Sequence, residues 1–395
     1  MLRRPSRTTV FTGTITALSI LGDQALYALL PLYFQEIGLL PIQVGILLSA
    51  NRWVRLLTNH LAERLVVRFP VNLLLVLSLV LGALLSLAYA YISSFLVLFI
   101  ARCLWGLCFS FIRHISVMGV ASSTEPQNLG QMMGFYNGIS RIGSVLGIVL
   151  GGILFDLIGF STTLAVFCLF SLFAVPFAMR SGLQTSSSII TDQQQKNQPA
   201  TRYSALLCCG FCIGSVGPGL IMSTLGFILL SRYGTEVDLM GFVVGIATLN
   251  GLLLGCRWVL ETLGAPIYGA LIDRTGIRLG APLCFLVGLI VMLLLNLSEN
   301  LAGLALGMIV FFACGTALST VLSAEASRLG AKVFVRYATA YDLGMAFGPV
   351  IGWGAYELIG TTNLVFFIGA GLYACLLYTS PSQRDATLSR MPSSA

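Results

Sequence analysis

The sequence predicts an all-α integral membrane protein with twelve transmembrane helices in two pseudo-symmetric six-helix bundles. Three observations lead to this fold class: the apolar composition, the placement of basic residues in alternate loops, and a repeat that relates the two halves. Of 395 residues, 57% are hydrophobic and only 9% are charged, whereas soluble domains carry about 25% charged residues. At about 20 residues per membrane-spanning helix, a chain of this length accommodates on the order of a dozen spans.

The apolar runs predict six spans on either side of a polar linker. The linker, residues 182–203, is rich in Ser, Thr, Gln and Asn, a composition typical of flexible connections. We therefore expect an N-terminal half at residues 1–181 and a C-terminal half at 204–395, which ends in a short cytoplasmic tail. The predicted spans lie near residues 9–34, 42–64, 71–92, 94–120, 131–158, 161–179, 204–231, 240–268, 279–298, 302–324, 337–359 and 362–379.

The distribution of charge orients the spans. Cytoplasmic loops of membrane proteins carry an excess of Lys and Arg, so we place both termini in the cytoplasm. We expect the spans to lie in a bacterial inner (plasma) membrane. The net charge of +7 reflects this orientation, and we expect no binding to nucleic acid. The acidic loops on the opposite side contain one basic residue, Arg232. The basic side holds Arg3, Arg4, Arg7, Arg64, Arg68, Arg180, Lys196, Arg202, Arg274, Arg278, Arg328, Lys332, Arg336, Arg384 and Arg390.

A charged segment between the eighth and ninth predicted spans has the pattern G-x-L-x-D-R-x-G-x-R. Its defining residues are Gly269, Asp273, Arg274, Gly276 and Arg278. Between two apolar helices, a Gly-punctuated and Arg-rich segment is typical of a tight cytoplasmic turn.

An altered copy of this segment follows the second predicted span, at Asn59, Glu63, Arg64 and Arg68. An offset of 210 residues separates Glu63 from Asp273, which is about half of the chain. The chain therefore consists of two halves built on the same plan.

A second repeat, with an offset of 201 residues, relates Tyr136–Gly147 to Tyr337–Gly348. Small residues at this spacing let two helix backbones approach closely. We therefore predict helix-packing positions in both copies, at Gly143, Gly147, Gly344, Gly348, Pro349 and Gly352.

These motifs resemble those of the major facilitator superfamily of secondary transporters. In that family, segments like 269–278 brace the cytoplasmic gate, which implies a gating role for both copies. The pattern from Gly344 to Gly352 is similar to the family's antiporter motif, although the family carries it in the fifth helix, where this chain has Ile148 in place of the proline. Arg102 and Gly106 resemble an R-x-x-x-G motif that the family links to proton transfer.

Nine charged residues lie inside predicted spans and away from their ends: Asp23, Arg52, Arg55, Arg102, Arg113, Arg141, Arg257, Glu261 and Asp342. A charge in the membrane interior is costly, so such residues are functional candidates. Asp23 lies near mid-membrane and could carry protons, or it could only fix helix packing. As proton-coupling residues we predict Asp23, Glu261, Asp342 and Arg102.

A polar stripe runs along the second span, because Asn51, Arg55 and Asn59 recur at intervals of four residues. With Arg52 and with Arg141 of the fifth span, it predicts a substrate-binding wall that attracts anions. Three structural pairings are the alternative. Asp342 would pair with Arg52 or Arg55, Arg141 would pair with Glu261, or Glu261 would pair locally with Arg257.

Catalytic chemistry is not indicated, and we expect no enzyme activity, no cofactor and no metal. The resemblance implies a transporter that moves a small organic solute by alternating access. We favour proton-coupled export by a monomer in contact with membrane lipids, and the excess of buried Arg favours an anionic or zwitterionic solute. The alternatives are a proton-driven importer of an anionic metabolite, a lipid-headgroup flippase, and a receptor or scaffold without transport.

Overall fold

A computed structural model describes residues 4–180, 203–239, 241–275 and 277–379. It divides into two compact units. The first comprises Met1–Gln195 with Gly234–Gly255, and the second comprises Lys196–Tyr233 with Cys256–Ala395. Residues 234–255 thus pack with the first unit, although the sequence repeat assigns them to the C-terminal half.

The first unit contains six predicted spans, two of which are interrupted helices. Its helices are α1 Arg7–Ser19, α2 Leu21–Ile37, α3 Pro41–Arg68, α4 Val71–Tyr91, α5 Phe95–Ser122, α6 Leu129–Ile158, α7 Phe160–Leu172 and α8 Ala174–Arg180. Helices α1 and α2 together form the first span, and α7 and α8 form the sixth. The Ser6 hydroxyl caps α1 by accepting a hydrogen bond from the Thr9 N–H.

A two-stranded hairpin precedes the eighth span, where the sequence predicted helix from residue 240. Its strands are β1 Glu236–Leu239 and β2 Phe242–Gly245, and helix α11 begins only at Ile246. The Asp238 carboxylate accepts a hydrogen bond from the Gly241 N–H at 2.7 Å, and Gly241 has a φ of 92°. A left-handed glycine and a side-chain-capped turn favour a hairpin over a helix at this point, so the predicted start was wrong.

The second unit contains the remaining helices. They are α9 Ser204–Gly214, α10 Met222–Tyr233, the later part of α11 Ile246–Thr275, α12 Ile277–Leu297, α13 Leu301–Arg328, α14 Ala331–Ile359 and α15 Leu364–Thr379. A π-helical segment, Ser215–Ile221, joins α9 to α10 and contains Pro218. Proline has no N–H to donate, and π-turns within helices occur often at functional sites.

The sequence predicted a tight turn at residues 269–278 and an altered copy of it at residues 59–68. Both segments are instead largely helical. The first copy lies in the final turns of α3, which continues to Arg68. In the second copy α11 runs to Thr275 and α12 begins at Ile277. A helix satisfies its own backbone hydrogen bonds, so it can extend beyond the apolar layer without leaving the backbone N–H and C=O groups in its interior unpaired. Gly276, and the side chains of residues 269–278, lie outside the described part of the chain.

Within the described residues, eight segments are long and apolar enough to cross a membrane. The other four predicted spans correspond to α3, α11 and α14, which carry more charged and polar residues, and to the shorter α15. Together they make twelve spans, which confirms the predicted helical membrane architecture. The eight segments are Arg7–Ile37, Val71–Tyr91, Phe95–Ser122, Leu129–Ile158, Phe160–Arg180, Ser204–Tyr233, Leu279–Leu297 and Leu301–Arg328.

Candidate functional site

A fully buried ion pair lies inside the first unit. Asp23 of α2 is 3% exposed, Arg102 of α5 is 1% exposed, and Nη1 of Arg102 lies 2.5 Å from Oδ1 of Asp23. Nε of Arg102 donates a second hydrogen bond, at 2.9 Å, to the carbonyl of Leu47 on α3. Either charge alone would be costly in this interior, so each stabilises the other. The pair also connects three helices at one point.

Asn51 and Gln24 also donate hydrogen bonds to Asp23, and Tyr27 contacts Asn51. Nε2 of Gln24 donates to Oδ2 of Asp23 at 3.3 Å. Asn51 Nδ2 donates to Oδ1 of Asp23 at 3.2 Å. The Tyr27 hydroxyl lies 2.9 Å from the Leu48 carbonyl and 3.3 Å from Oδ1 of Asn51. Tyr27 follows Asp23 by four residues, so both project from the same face of α2. The Asp23 carboxylate is therefore held in position by groups from α3 and α5.

Gly106 explains why α5 can approach α3 so closely. A Cβ atom at this position would lie 2.7 Å from the carbonyl oxygen of Asn51, closer than real contacts allow. Gly106 lies one turn after Arg102 on the same helix face. The R-x-x-x-G pattern thus has a physical basis: the glycine admits the neighbouring backbone, and the arginine reaches the carboxylate beyond it.

Aromatic rings surround the guanidinium of Arg102. Its Cζ lies 5.6 Å from the ring centre of Tyr27, 5.8 Å from that of Tyr89 and 5.9 Å from that of Trp105. A cation is attracted to aromatic faces, more strongly where water is excluded. The charge of Arg102 is therefore stabilised by aromatic faces as well as by Asp23.

Two further arginines of the predicted stripe also contact aromatic rings. Arg52 is half-buried with its Cζ 5.1 Å from the ring centre of Tyr27, and Arg55 lies 5.0 Å from that of Phe109. Arg52 thus shares Tyr27 with Arg102. Arg141 is half-buried on α6, whereas four residues of the first charged segment are exposed on α3: Asn59, Glu63, Arg64 and Arg68.

The predicted acids of the second unit occupy different surroundings. Glu261 lies one turn from Arg257 on α11, with its carboxylate 3.6 Å from Nη2 of Arg257. The local alternative therefore describes a contact that is present. Asp342 is half-buried on α14. Pairing of Asp342 with Arg52 or Arg55, and of Arg141 with Glu261, would join residues of the two units and stays a prediction.

The predicted packing glycines lie at close backbone contacts within each unit. A Cβ at Gly143 would overlap the Ala17 carbonyl of α1, and one at Gly147 would lie 2.6 Å from the Leu21 carbonyl of α2. In the second unit, Gly344 and Gly348 lie against the backbone of α9 and of the π-helical segment. A Cβ at Gly352 would lie 2.7 Å from the Leu220 side chain, and Pro349 is buried inside α14.

Sequence reasoning missed the aromatic residues Tyr27, Tyr89 and Trp105. Tyr27 could have been found from its four-residue spacing to Asp23, and Trp105 from its place inside the R-x-x-x-G pattern. Tyr89 gave no such signal, because it looks like any aromatic residue of an apolar helix. It approaches Arg102 only because α4 packs beside α5.

The fold and the buried ion pair define an integral membrane protein with polar groups enclosed in a helical bundle, as in secondary transporters. A Major Facilitator Superfamily model matches residues 12–349, and the chain belongs to this superfamily. Both the predicted family and the predicted fold class are confirmed.

Named relatives are distant in sequence. The chain is 24% identical over 370 residues to the synaptic vesicular amine transporter of Homo sapiens, covering 87% of this chain and 68% of that protein. It is 26% identical over 315 residues to multidrug resistance protein MdtG of Klebsiella pneumoniae (strain 342), covering 74% and 72%.

Solved structures share the fold. A bacterial homolog of the human lysosomal transporter Spinster, in an inward-facing and occupied conformation, matches with a TM-score of 0.75 at 11% identity, covering 95% of this chain and 98% of that chain. The nucleoside transporter NupG matches with a TM-score of 0.73 at 13% identity, covering 94% and 98%. At these identities the likeness concerns the fold alone.

Proposed function

We propose that the protein is a secondary active transporter that exports a small organic solute in exchange for protons, by alternating access. Membership of the superfamily supports transport of a small solute. The observation that carries proton coupling is the buried pair of Asp23 and Arg102. An acid at mid-membrane with a fixed cationic partner is the kind of group through which proton binding can act on helix packing.

Protonation of Asp23 would act by removing one charge of the pair. The neutral carboxylic acid keeps one hydrogen-bond acceptor for Asn51 but loses its charge attraction to Arg102. The guanidinium retains its bond to the Leu47 carbonyl and its aromatic surroundings. The contact between α2 and α5 weakens, whereas the contact between α3 and α5 persists. Gain and loss of one proton would therefore change how α2 packs in the first unit.

The remaining predicted residues have roles within this scheme. Asn51, Arg52, Arg55 and Arg141 attract the solute, and Glu261 and Asp342 are further candidates for proton coupling. The charged segments at Asn59–Arg68 and 269–278 act in gating. The protein works as a monomer among membrane lipids, in a bacterial plasma membrane with both termini in the cytoplasm.

The printed names of the relatives raise a second possibility for the solute. Some of these relatives are amine transporters and others are multidrug resistance proteins, which favours a cationic organic solute. Against this, the acid that lies deepest in the first unit is already paired with an arginine. The charge of the solute therefore has to be measured.

The decisive experiment uses the purified protein in liposomes with a pH-sensitive dye trapped inside. Organic anions, cations and zwitterions are added in turn under an imposed proton gradient. We expect one class to trigger proton movement, and Asp23→Asn to abolish it. Glu36→Gln is the matched control, because Glu36 is an exposed acid on the same helix. Proton movement that persists in Asp23→Asn would refute the role of Asp23.

A further inference from the structure

A small pocket in the second unit is lined by groups that the proposed mechanism does not use. Its walls come from the π-helical segment at Gly217 and Pro218, from Arg257 on α11, from Phe311 on α13, and from Tyr341 and Tyr373. It admits roughly one water molecule. The pocket thus combines one cation, several aromatic rings and a polypeptide segment with irregular backbone.

Arg257 is a buried cation with weak hydrogen-bond acceptors. It is 8% exposed, and its Nη1 donates to the sulfur of Met222 at 3.3 Å. The Glu261 carboxylate lies 3.6 Å from Nη2, which is too long for a hydrogen bond. A thioether is a weak acceptor, and the guanidinium also lies over the Trp258 ring, with its Cζ 4.7 Å from the ring centre. An anionic ligand would be a stronger partner than either of these groups.

Tyr373 presents an unused hydroxyl to the same pocket. The residue is fully buried, and among the described residues its hydroxyl has no hydrogen-bond partner. Its ring is fixed by edge contact with Phe285, at 5.5 Å between ring centres, and by Phe311 at 5.8 Å. Buried polar groups are nearly always hydrogen-bonded. Because Arg257 lines the same pocket, an acceptor placed there would serve both groups.

Two glycines leave open space in the pocket wall. A Cβ atom at Gly217 or at Gly315 would meet no other atom within 4 Å, whereas Gly344 and Gly348 of the same unit lie against neighbouring backbones. Both glycines line the pocket together with Arg257 and Tyr373, so this open space adjoins the pocket. The pocket is about the size of one water molecule, which suits one oxygen of a ligand head group, with the rest of the molecule reaching out along the aromatic wall.

We propose that this pocket binds the carboxylate head group of a small aromatic acid. The guanidinium of Arg257 pairs with the carboxylate, the Tyr373 hydroxyl donates to one of its oxygens, and the rings of Phe311 and Tyr341 contact the aromatic body. The proposal rests on the proposed function in so far as such an acid is the exported solute. An amine would have to use Glu261, which is not among the residues that line the pocket.

The test is direct binding of benzoate to the purified full-length protein, measured by calorimetry without a proton gradient. Benzylamine and benzyl alcohol are the matched cationic and neutral probes. We expect benzoate to bind at least about tenfold more tightly than either, because only benzoate can pair with the guanidinium. Equal binding of the three probes, tighter binding of benzylamine, or no binding of benzoate would overturn the proposal.

Variants locate the binding. Tyr373→Phe should weaken benzoate binding by about fivefold. Tyr337→Phe is the control and should not change binding. Tyr337 is also buried with a hydroxyl that has no partner among the described residues, but it is not one of the residues that line the pocket. Gly315→Ala should fill the pocket and abolish binding. Gly371→Ala, which also has open space around it, should leave binding intact. Unchanged binding in both Tyr373→Phe and Gly315→Ala would overturn the proposal.

Charge variants test the proposal in a second way, because one of them should strengthen benzoate binding and another should abolish it. Glu261→Gln removes the competing carboxylate and should strengthen benzoate binding several-fold. Combining it with Arg257→Gln should abolish binding without leaving one buried charge alone. Weaker binding in Glu261→Gln would contradict the assignment. If benzoate binds as expected but the liposomes show no Asp23-dependent proton movement, the proposed function fails and the pocket stands. If proton movement depends on Asp23 but benzoate does not bind, the pocket proposal fails and the proposed function stands.

Discussion

Arg102 donates hydrogen bonds to two acceptors, the Asp23 carboxylate and the Leu47 carbonyl, from two nitrogens of one guanidinium. Nη1 reaches Asp23 while Nε reaches the Leu47 carbonyl. Because these nitrogens belong to one planar group, fixing one bond orients the other. The position of Asp23 in the first unit therefore depends on the shape of its partner as well as on the charge.

We predict that Arg102→Lys retains the buried charge but loses transport. A lysine ammonium is a single point donor and cannot bridge both acceptors, so transport should fall by about tenfold or more. The measurement is solute-driven proton movement in liposomes. Arg180→Lys is the control, because Arg180 is exposed at the end of α8. Wild-type rates in Arg102→Lys would mean that charge alone is sufficient.

The sequence identified the members of the site but not their arrangement. Asp23 and Asn51 were predicted from polarity within an apolar helix, and Arg102 also from its resemblance to the R-x-x-x-G motif. The pairing of Asp23 with Arg102 was not predicted. Residues 23 and 102 are 79 positions apart, and they meet only because α2 and α5 both pack against α3. Hydropathy predicts which segments are helices in a membrane, and it contains no information on which helices are neighbours.

At the scale of the elements, close packing within each unit depends on glycines that face another backbone. Helix α14 lies against α9 and the π-helical segment through Gly344 and Gly348. These positions repeat those at Gly143 and Gly147, which face α1 and α2. Packing contacts of this kind were predictable, because a regular spacing of small residues is visible in the sequence. The hairpin at 236–245 was missed, since its valines look like part of an apolar helix.

We predict that Gly344→Ala destabilises the second unit. The added Cβ would overlap the Phe211 carbonyl, so α14 and α9 must move apart, and overpacking of this kind costs about 1–3 kcal/mol. The measurement is thermal unfolding of the purified protein in detergent. Gly371→Ala lies in open space of the same unit and should leave the unfolding temperature nearly unchanged. Equal unfolding temperatures for the two variants would contradict this packing.

At the scale of the whole molecule, one segment departs from the two-half plan of the sequence. Residues 234–255 follow the linker, yet they pack with the first unit. Asp156 at the end of α6 accepts hydrogen bonds from the Thr248 N–H at 2.7 Å and from its hydroxyl at 2.6 Å. The carboxylate thereby caps the N-terminus of α11. Farther along α11, Asn250 donates to the Ala28 carbonyl at 2.9 Å.

This arrangement predicts that the contact between α6 and the start of α11 must break during transport. A carrier that works by alternating access exchanges the contacts that close one side of the membrane, and the Asp156–Thr248 cap is formed by segments from different sequence halves. The test introduces Asp156→Cys and Thr248→Cys together into a variant from which the ten native cysteines have been removed. A short, reducible bifunctional thiol reagent then links the two positions. We predict that this link stops transport.

Reduction of the link should restore transport, and each single cysteine treated with the same reagent provides the control. The cysteines also remove the helix cap, which costs about 0.5–2 kcal/mol, so the unlinked double variant sets the reference rate. Transport that continues with the two positions fully linked would show that residues 234–255 stay on α6 throughout the cycle. The moving boundary would then lie later in α11, beyond Gly255, where the first unit ends.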